Sequence, residues 1–235
     1  MTGVSMTFDD GTTALTDVDL TVAPGELVTL VGPSGCGKTT ILRLAAGLLT
    51  PTAGEIEVSA AATSFVFQDA TLLEWRTALR NVELMGELRG VPRAERRARA
   101  LEVLDAVGLA DATARHPRQL SGGMRMRVSI ARALVAQPDL ALLDEPFGAL
   151  DEITRLSLQT LLQELFAQRR FGGLFITHSV SEAVYLSDRV LVMGRGRIAA
   201  EVAVPWAHPR PPEVRYDADF AALAGEVSAR LAAAS

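Results

Sequence analysis

Gly32-Pro33-Ser34-Gly35-Cys36-Gly37-Lys38-Thr39 follows the spacing G-x-x-x-x-G-K-[ST] at every position. Such a run suits phosphate. Its glycines let backbone N–H groups turn inward around phosphate oxygens, and a helix beginning near Lys38 adds the positive end of its dipole. Lys38 is placed to reach β- and γ-phosphates, Thr39 to offer its hydroxyl to Mg²⁺, and Thr40 to extend the cradle. The bland alternative is a chance glycine-rich turn. A second candidate is Leu140-Ala141-Leu142-Leu143-Asp144-Glu145, an apolar run ending in two carboxylates. A buried parallel strand that ends this way delivers acids to the ligand edge of its sheet. Asp144 then holds Mg²⁺, directly or through water, and Glu145 orients and polarises an attacking water. Alone, the pair could be a solvated turn. Leu120-Ser121-Gly122-Gly123 is a further glycine-rich helix start with N–H groups free for an anion. One nucleotide hardly needs two cradles, which hints at a nucleotide shared between two subunits; a merely capped helix is the other reading.

The elements that must position these residues are legible in outline. Leu27 to Val31 is a short apolar strand running into the glycine-rich loop, and a helix follows from Lys38 with Leu42, Ala45 and Ala46 on one face. Strand, loop and helix in that order form a phosphate-binding βα unit. Upstream, Asp10-Gly11 is a hairpin-type turn, and Val18, Leu20 and Val22 alternate as a strand does. In the helical middle, Pro92 suits a first helical position and Arg93 to Val107 ends at Gly108. A second helix is expected from about Met124 to before Pro138. Leu140 to Leu143 is a buried-type strand, and Asp151 to Arg170 is a helix with Leu158, Leu161, Leu162 and Leu165 on one side. Leu174 to Thr177, Val190 to Met193 and Ile198 to Val204 are further strands. Pro205 to Pro212 contains four prolines and predicts a stiff connector, followed by a short amphipathic helix carrying Phe220, Leu223 and Val227.

Composition narrows the function classes. The chain has 235 residues, of which 49% are hydrophobic and 22% charged, so it is neither disordered nor collagen-like. Its formal net charge of −5 disfavours a protein that binds nucleic acid by neutralising phosphates. One cysteine, Cys36, excludes an intrachain disulfide and a zinc cluster. Inside the phosphate loop it fits as a small filler, with a redox role for its thiol as the alternative. No apolar run approaches the ~18 residues that span a bilayer. A start without basic residues or an apolar core predicts no signal peptide.

Taken together, these motifs resemble the nucleotide-binding subunits of ATP-binding cassette (ABC) transporters over nearly the whole chain. The resemblance implies an α/β fold: a P-loop NTPase (RecA-like) core, an N-terminal antiparallel β subdomain and an α-helical signature subdomain. It implies one nucleotide-binding domain over 1–235, with the helical subdomain at about 70–137 and a C-terminal extension at about 205–235. Ser121, Gly122 and Gly123 become the signature motif, which meets the γ-phosphate of ATP on the opposite subunit. Phe8 matches the aromatic that stacks on adenine, and Gln68 the Q-loop glutamine that senses Mg²⁺ and connects to the membrane partner. Gly148-Ala149-Leu150-Asp151 matches the D-loop, and His178 the switch histidine. Arg127, Ala131 and Arg132 fall in the helix after the signature. Catalytic work is thus implied for Glu145, His178 and Gln68, and Mg²⁺ ligation for Thr39, Gln68 and Asp144.

The narrower resemblance, carried by Leu72-Leu73-Glu74-Trp75-Arg76-Thr77 and Leu-Ser-Gly-Gly-Met-Arg, is to bacterial importer subunits for nitrate, sulfonates such as taurine, bicarbonate or thiamine-precursor pyrimidines. It implies ATP and Mg²⁺, a second ATPase subunit (a homodimer), permease subunits, an extracytoplasmic substrate-binding protein, and a peripheral place on the cytoplasmic membrane face. Glu74, Met126 and Ser179 stand where proline, glutamine and aspartate are usual. The rivals are an exporter ATPase, a soluble ABC ATPase acting on DNA or ribosomes, and a P-loop kinase of a small metabolite. Other residues invite weaker readings. Trp75 is either a core anchor or part of a docking face. His116 and His208 precede prolines in polar stretches and are expected to be solvated. Arg89, Arg93, Arg96, Arg97 and Arg99 spread around a helix beside Glu95 and Glu102, as on a solvated surface.

Overall fold

The computed structural model describes residues 1–234. Two sheets organise it. The first is antiparallel, with β1 (Thr2–Thr7) between β2 (Thr13–Val18) and β4 (Ala53–Glu55). The second contains β3 (Leu27–Val31), β5 (Thr63–Val66), β6 (Leu140–Asp144), β7 (Gly172–Thr177), β8 (Arg189–Gly194) and β9 (Arg197–Ala203). Its order is β5-β6-β7-β3-β8-β9, parallel throughout except for β9 at one edge. The expected α/β core and N-terminal antiparallel sheet are both present.

Residues of β3 and β7 are buried on both faces, as expected of central parallel strands. Successive side chains point to opposite faces. Leu27 and Val31 therefore join the cluster under the helices, while Val28 and Leu30 join the cluster under the antiparallel sheet and α1 (Lys38–Ala45). Between β5 and β6 the chain forms α2 (Ala78–Leu88), α3 (Arg93–Ala106) and α4 (Gly122–Leu134), which pack on one another. The remaining helices are α5 (Glu152–Arg169), α6 (Val180–Leu186) and α7 (Ala218–Ala234). Among the described residues no helix is long and apolar enough to cross a membrane.

Several boundaries differ from expectation, each for a local reason. The upstream strand is Thr13–Val18, so Leu20 and Val22 lie beyond it, although both still pack against the core. Asp17 adopts a left-handed φ of 52° just before the strand ends. Pro92 sits at the N-cap of α3, with extended ψ, rather than inside the helix. The helix expected near Met124 starts at Gly122 because the Ser121 hydroxyl caps it. The α2 helix was not evident from periodicity because its buried face includes Asn81 and Glu83, and α6 is only seven residues long.

The proline-rich connector is tied down. His208, expected in solvent, has a side chain only 4% exposed. Its Nδ1 lies 2.6 Å from Gln163 Oε1 and its Nε2 lies 3.2 Å from Asp188 Oδ1. Burial pushes the Asp188 carboxyl up, but His208 and the Leu27 N–H more than offset this and hold it below the usual carboxylate range. Neighbouring Arg210 is also buried, donating to the carbonyls of Val184, Tyr185 and Trp206. Burial brings its guanidinium down to about 10. Phe220 and Val227 then seat α7, which at 17 residues is longer than the short helix expected.

Candidate active site

Four neighbouring parallel strands end at one edge, and each releases a candidate residue there. β3 runs into the loop from Gly32, β6 ends at Asp144 with Glu145 next, β7 ends at Thr177 with His178 next, and β5 ends two residues before Gln68. Ligands of open α/β sheets bind beyond the carboxyl ends of the strands. Topology alone thus gathers residues that are up to 146 positions apart in the chain.

In the phosphate loop, Gly35 has φ +79° and Gly37 has φ +103°, conformations that L side chains rarely adopt. Gly37 is also fixed by space: a Cβ there would stand 2.6 Å from both Ala14 O and Leu15 Cδ2. The antiparallel sheet therefore backs directly onto the loop. Gly37 is the N-cap of α1 and supplies no side-chain cap. The first amides of α1 remain free of side-chain partners, which is what an anion needs. Lys38 is buried, and its Nζ donates to Gly32 O at 2.8 Å and Pro33 O at 2.9 Å. Cys36 is buried too, with Sγ 3.8 Å from Lys38 Nζ, in keeping with a filler.

Thr39 Oγ1 donates to Asp144 Oδ1 at 3.3 Å. Burial pushes the Asp144 carboxyl above its ordinary range, and the adjacent Glu145 charge adds to this against the Thr39 hydrogen bond. A carboxylate and a hydroxyl side by side are hard oxygen donors of the kind Mg²⁺ accepts. No group of three or more His, Cys, Asp or Glu forms a metal cluster among the described residues. Mg²⁺ commonly takes one or two protein oxygens together with substrate phosphates.

Glu145 has φ +47°, unusual for a residue with a side chain, and its N–H donates to Ile176 O. His178 Nε2 lies 2.7 Å from Glu145 Oε1. Gln68 belongs to the same group. A Cβ placed on Gly148 would stand 3.5 Å from Gln68 Nε2 and 3.9 Å from Glu145 Oε2. Glu145, His178 and Gln68 thus converge, with Thr39 and Asp144 beside them.

Ser121, Gly122 and Gly123 stand at the start of α4. Ser121 Oγ accepts from Met124 N at 3.2 Å, and Ser121 and Gly122 are exposed. Gly123 has a reason inside the chain: a Cβ there would lie 2.3 Å from Thr154 Cγ2. Its bareness lets α4 pass α5. Gly122 has only Leu150 Cδ2 near, at 3.8 Å, so packing within the chain does not require a glycine there.

Phe8 follows β1 and packs, half-buried, on the cluster that contains Leu15 and Cys36. Trp75 is 74% exposed, which removes the core-anchor reading. Two positioning residues escaped the sequence reading of this region. Arg132 donates to the carbonyls of Ala70 and Thr71 and to Thr71 Oγ1, tying α4 to the stretch after Gln68. Buried Asn81 bonds Leu73 through both N–H and carbonyl and also donates to Arg76 O and Thr77 O. Asn81 lacked any spacing signal. Arg132 was placed in its helix, but its partners lie 61 and 62 residues upstream.

Comparison with known proteins bears on the family and the fold. The ABC transporter family profile matches residues 15–148. The aliphatic sulfonates import ATP-binding protein SsuB of Burkholderia ambifaria is 47% identical, over 99% of this chain and 72% of its own length. That of Rhodococcus jostii is 45% identical over 97% of this chain and 90% of its own. Among solved structures, the dimeric bacterial ABC transporter cassette MJ0796 superimposes with a TM-score of 0.77 at 33% identity, over 88% of this chain and 98% of that one. A post-hydrolysis state of MJ0796 bound to ADP and Pi matches equally well. On sequence and fold together, the chain belongs to the ABC transporter family, as a cassette that binds and hydrolyses ATP.

Proposed function

We propose that this chain powers a bacterial importer of small aliphatic sulfonates, working as a pair of identical cassettes beneath permease subunits. The observation that carries the hydrolytic part is the convergence of Glu145, His178 and Gln68 beside the Thr39–Asp144 pair, one strand from an uncapped α1. The sulfonate class is supported by relatives from several bacterial genera that carry that name. An extracytoplasmic substrate-binding protein completes the system, and the cassette sits peripherally on the cytoplasmic face. Substrate selection lies in those other subunits, so nitrate or bicarbonate import is the competing outcome. Disrupting the gene in its host is expected to abolish growth on an aliphatic sulfonate as sole sulfur source while sparing growth on sulfate. Growth retained on sulfonate, with loss of nitrate use, would assign the other substrate.

The chain's residues divide the work. Amides of residues 35–40 and the positive end of α1 hold the β- and γ-phosphates, and Phe8 supports the adenine. Thr39 and Asp144, with Gln68 near, would hold Mg²⁺, which neutralises developing phosphate charge when bound. Glu145 accepts a hydrogen bond from the attacking water and orients it; His178 lies against Glu145 and faces the γ-phosphate. Ser121 and Gly122 close over the partner's nucleotide. Removing the γ-phosphate breaks the bridge between the two halves, and the stretch from Gln68 to Trp75 passes the movement to the permease.

Lys38→Ala tests the phosphate loop. Charge-assisted hydrogen bonds contribute about 1.5–3 kcal/mol, so ATP affinity is expected to fall roughly 10- to 100-fold. Calorimetric titration with ATP measures it. Unchanged affinity would remove Lys38 from the site.

A further inference from the structure

A buried polar chain runs from the C-terminal segment to the switch histidine, through residues that the proposed mechanism does not use. Glu182 sits in α6 and is 7% exposed, yet both carboxylate oxygens are engaged. Oε2 accepts from the Thr177 hydroxyl, and Oε1 accepts from Gln159 Nε2 at 3.0 Å. Arg155 Nε stands 3.7 Å from the same Oε1. The Thr177 hydroxyl also accepts from Ser179 N at 3.0 Å, and Ser179 Oγ accepts from Glu182 N at 3.3 Å. The residues on either side of His178 are therefore both held by Glu182 or by the hydroxyl that it orients. His178, between them, lies 2.7 Å from Glu145.

The chain continues outward. Gln159 Oε1 accepts from Arg215 NH2 at 2.8 Å. Arg215 lies in the short 3-10 turn before α7, and its guanidinium covers the Tyr185 ring at 3.3 Å from the centroid. Tyr185 in turn donates to Arg210 O. Arg215 can only donate, so it fixes which end of the Gln159 amide faces it. The other end, an NH₂, is thereby aimed at Glu182. Donor and acceptor match at every link only when residues 208–215 are docked on α5 and α6.

We infer that Glu182 is a positioning residue for the switch histidine, and that the C-terminal segment sets it through Arg215 and Gln159. Glu182 touches no nucleotide; it acts through Thr177 and Ser179. The inference rests on the reading of His178 as a catalytic group, and it predicts that a segment outside the nucleotide site tunes the rate of hydrolysis rather than nucleotide affinity. Burial pushes the Glu182 carboxyl up, so the network's donors are what favour its charged form.

The test is a donor–acceptor swap in the full chain. In Glu182→Gln, the new amide can keep accepting from Thr177 only by turning its NH₂ toward the NH₂ of Gln159. The expected result is a kcat for ATP about tenfold lower with KM changed less than about twofold, since nothing at the phosphates moves. Adding Gln159→Glu restores the matches from Thr177 through 182 and 159 to Arg215, because the carboxylate at 159 accepts from both the amide at 182 and Arg215; the Arg155 pairing with 182 is lost in both variants. The double variant is expected to recover kcat to within about threefold of wild type. Arg215→Gln is expected to lower kcat in the same direction, with KM again unchanged. A Glu182→Gln kcat within twofold of wild type, a loss confined to KM, or a double variant no better than the single would overturn the role of Glu182. If Glu182→Gln folds poorly, the double variant decides alone. An Arg215→Gln variant with full kcat would overturn the C-terminal link. A wild-type chain that binds ATP without hydrolysing it would instead strike down the hydrolytic reading, and this inference with it.

Discussion

Glu145→Gln is expected to keep ATP bound and nearly stop its turnover. The substitution is close to isosteric, and the amide oxygen can still accept from His178, now 2.7 Å from Glu145 Oε1. The left-handed backbone at Glu145, φ +47°, is held by the Glu145 N–H to Ile176 O bond, which an amide side chain leaves alone. What disappears is the negative charge that draws a proton from the attacking water. Groups of this kind contribute roughly 10²- to 10⁴-fold to a rate. Phosphate contacts from residues 35–40 are untouched, so affinity for ATP should stay near wild type. Two cassettes that close over ATP and cannot hydrolyse it should also stay closed, and a stable dimer is expected with ATP but not with ADP. Steady-state phosphate release and size-exclusion chromatography measure both. A variant within a few-fold of the wild-type rate would move the catalytic carboxylate elsewhere, and neighbouring Asp144 would become the candidate.

How much of this was legible beforehand depends on the sequence distance of each contact. The phosphate loop is local: eight consecutive residues, one strand and one helix form it, and β3 and the start of α1 fall where their residue types place them. The apolar run 140–143 likewise announces a buried strand with its acids at the end. His208 was misjudged because a histidine before a proline in a polar stretch resembles solvent-exposed loop. Its partners Gln163 and Asp188 lie 45 and 20 residues upstream, and nothing local signals them. The same holds for Gln159, Glu182 and Arg215, which are spread over 56 residues of ordinary helix and turn sequence. Gly123 shows the reverse effect. Its motif implies contact with a phosphate, and within the chain a Cβ there would also stand 2.3 Å from Thr154 Cγ2. A motif can carry a packing requirement and a binding role in adjacent letters, and only the fold separates them.

That separation shapes the second large effect, expected for Ser121→Arg. Gly123 is occupied within the chain, whereas Ser121 and Gly122 face solvent with little packed against them. If this helix start serves the partner's ATP, an arginine at 121 fills the space where the γ-phosphate must come. Closure is then blocked, while the chain's own phosphate loop, borne on β3 and α1, is undisturbed. ATP affinity of the monomer should remain within about threefold, the margin of a remote surface change of about 0.5 kcal/mol. Hydrolysis should fall toward background, because the charge-stabilising N–H groups of the opposite subunit no longer arrive. The substitution also removes the hydroxyl that caps Met124 N, which costs about 1 kcal/mol of helix stability. Ser121→Ala makes the same loss without the bulk, so it serves as the control: it should destabilise α4 equally and still close. Dimer formation is best read in the Glu145→Gln background, where closed pairs persist. Ser121→Arg with normal dimerisation and turnover would refute the shared site. Loss of ATP binding by the monomer would place Ser121 in its own chain's pocket. Binding kept and closure lost is the outcome that two glycine-rich helix starts serving one nucleotide from two chains require.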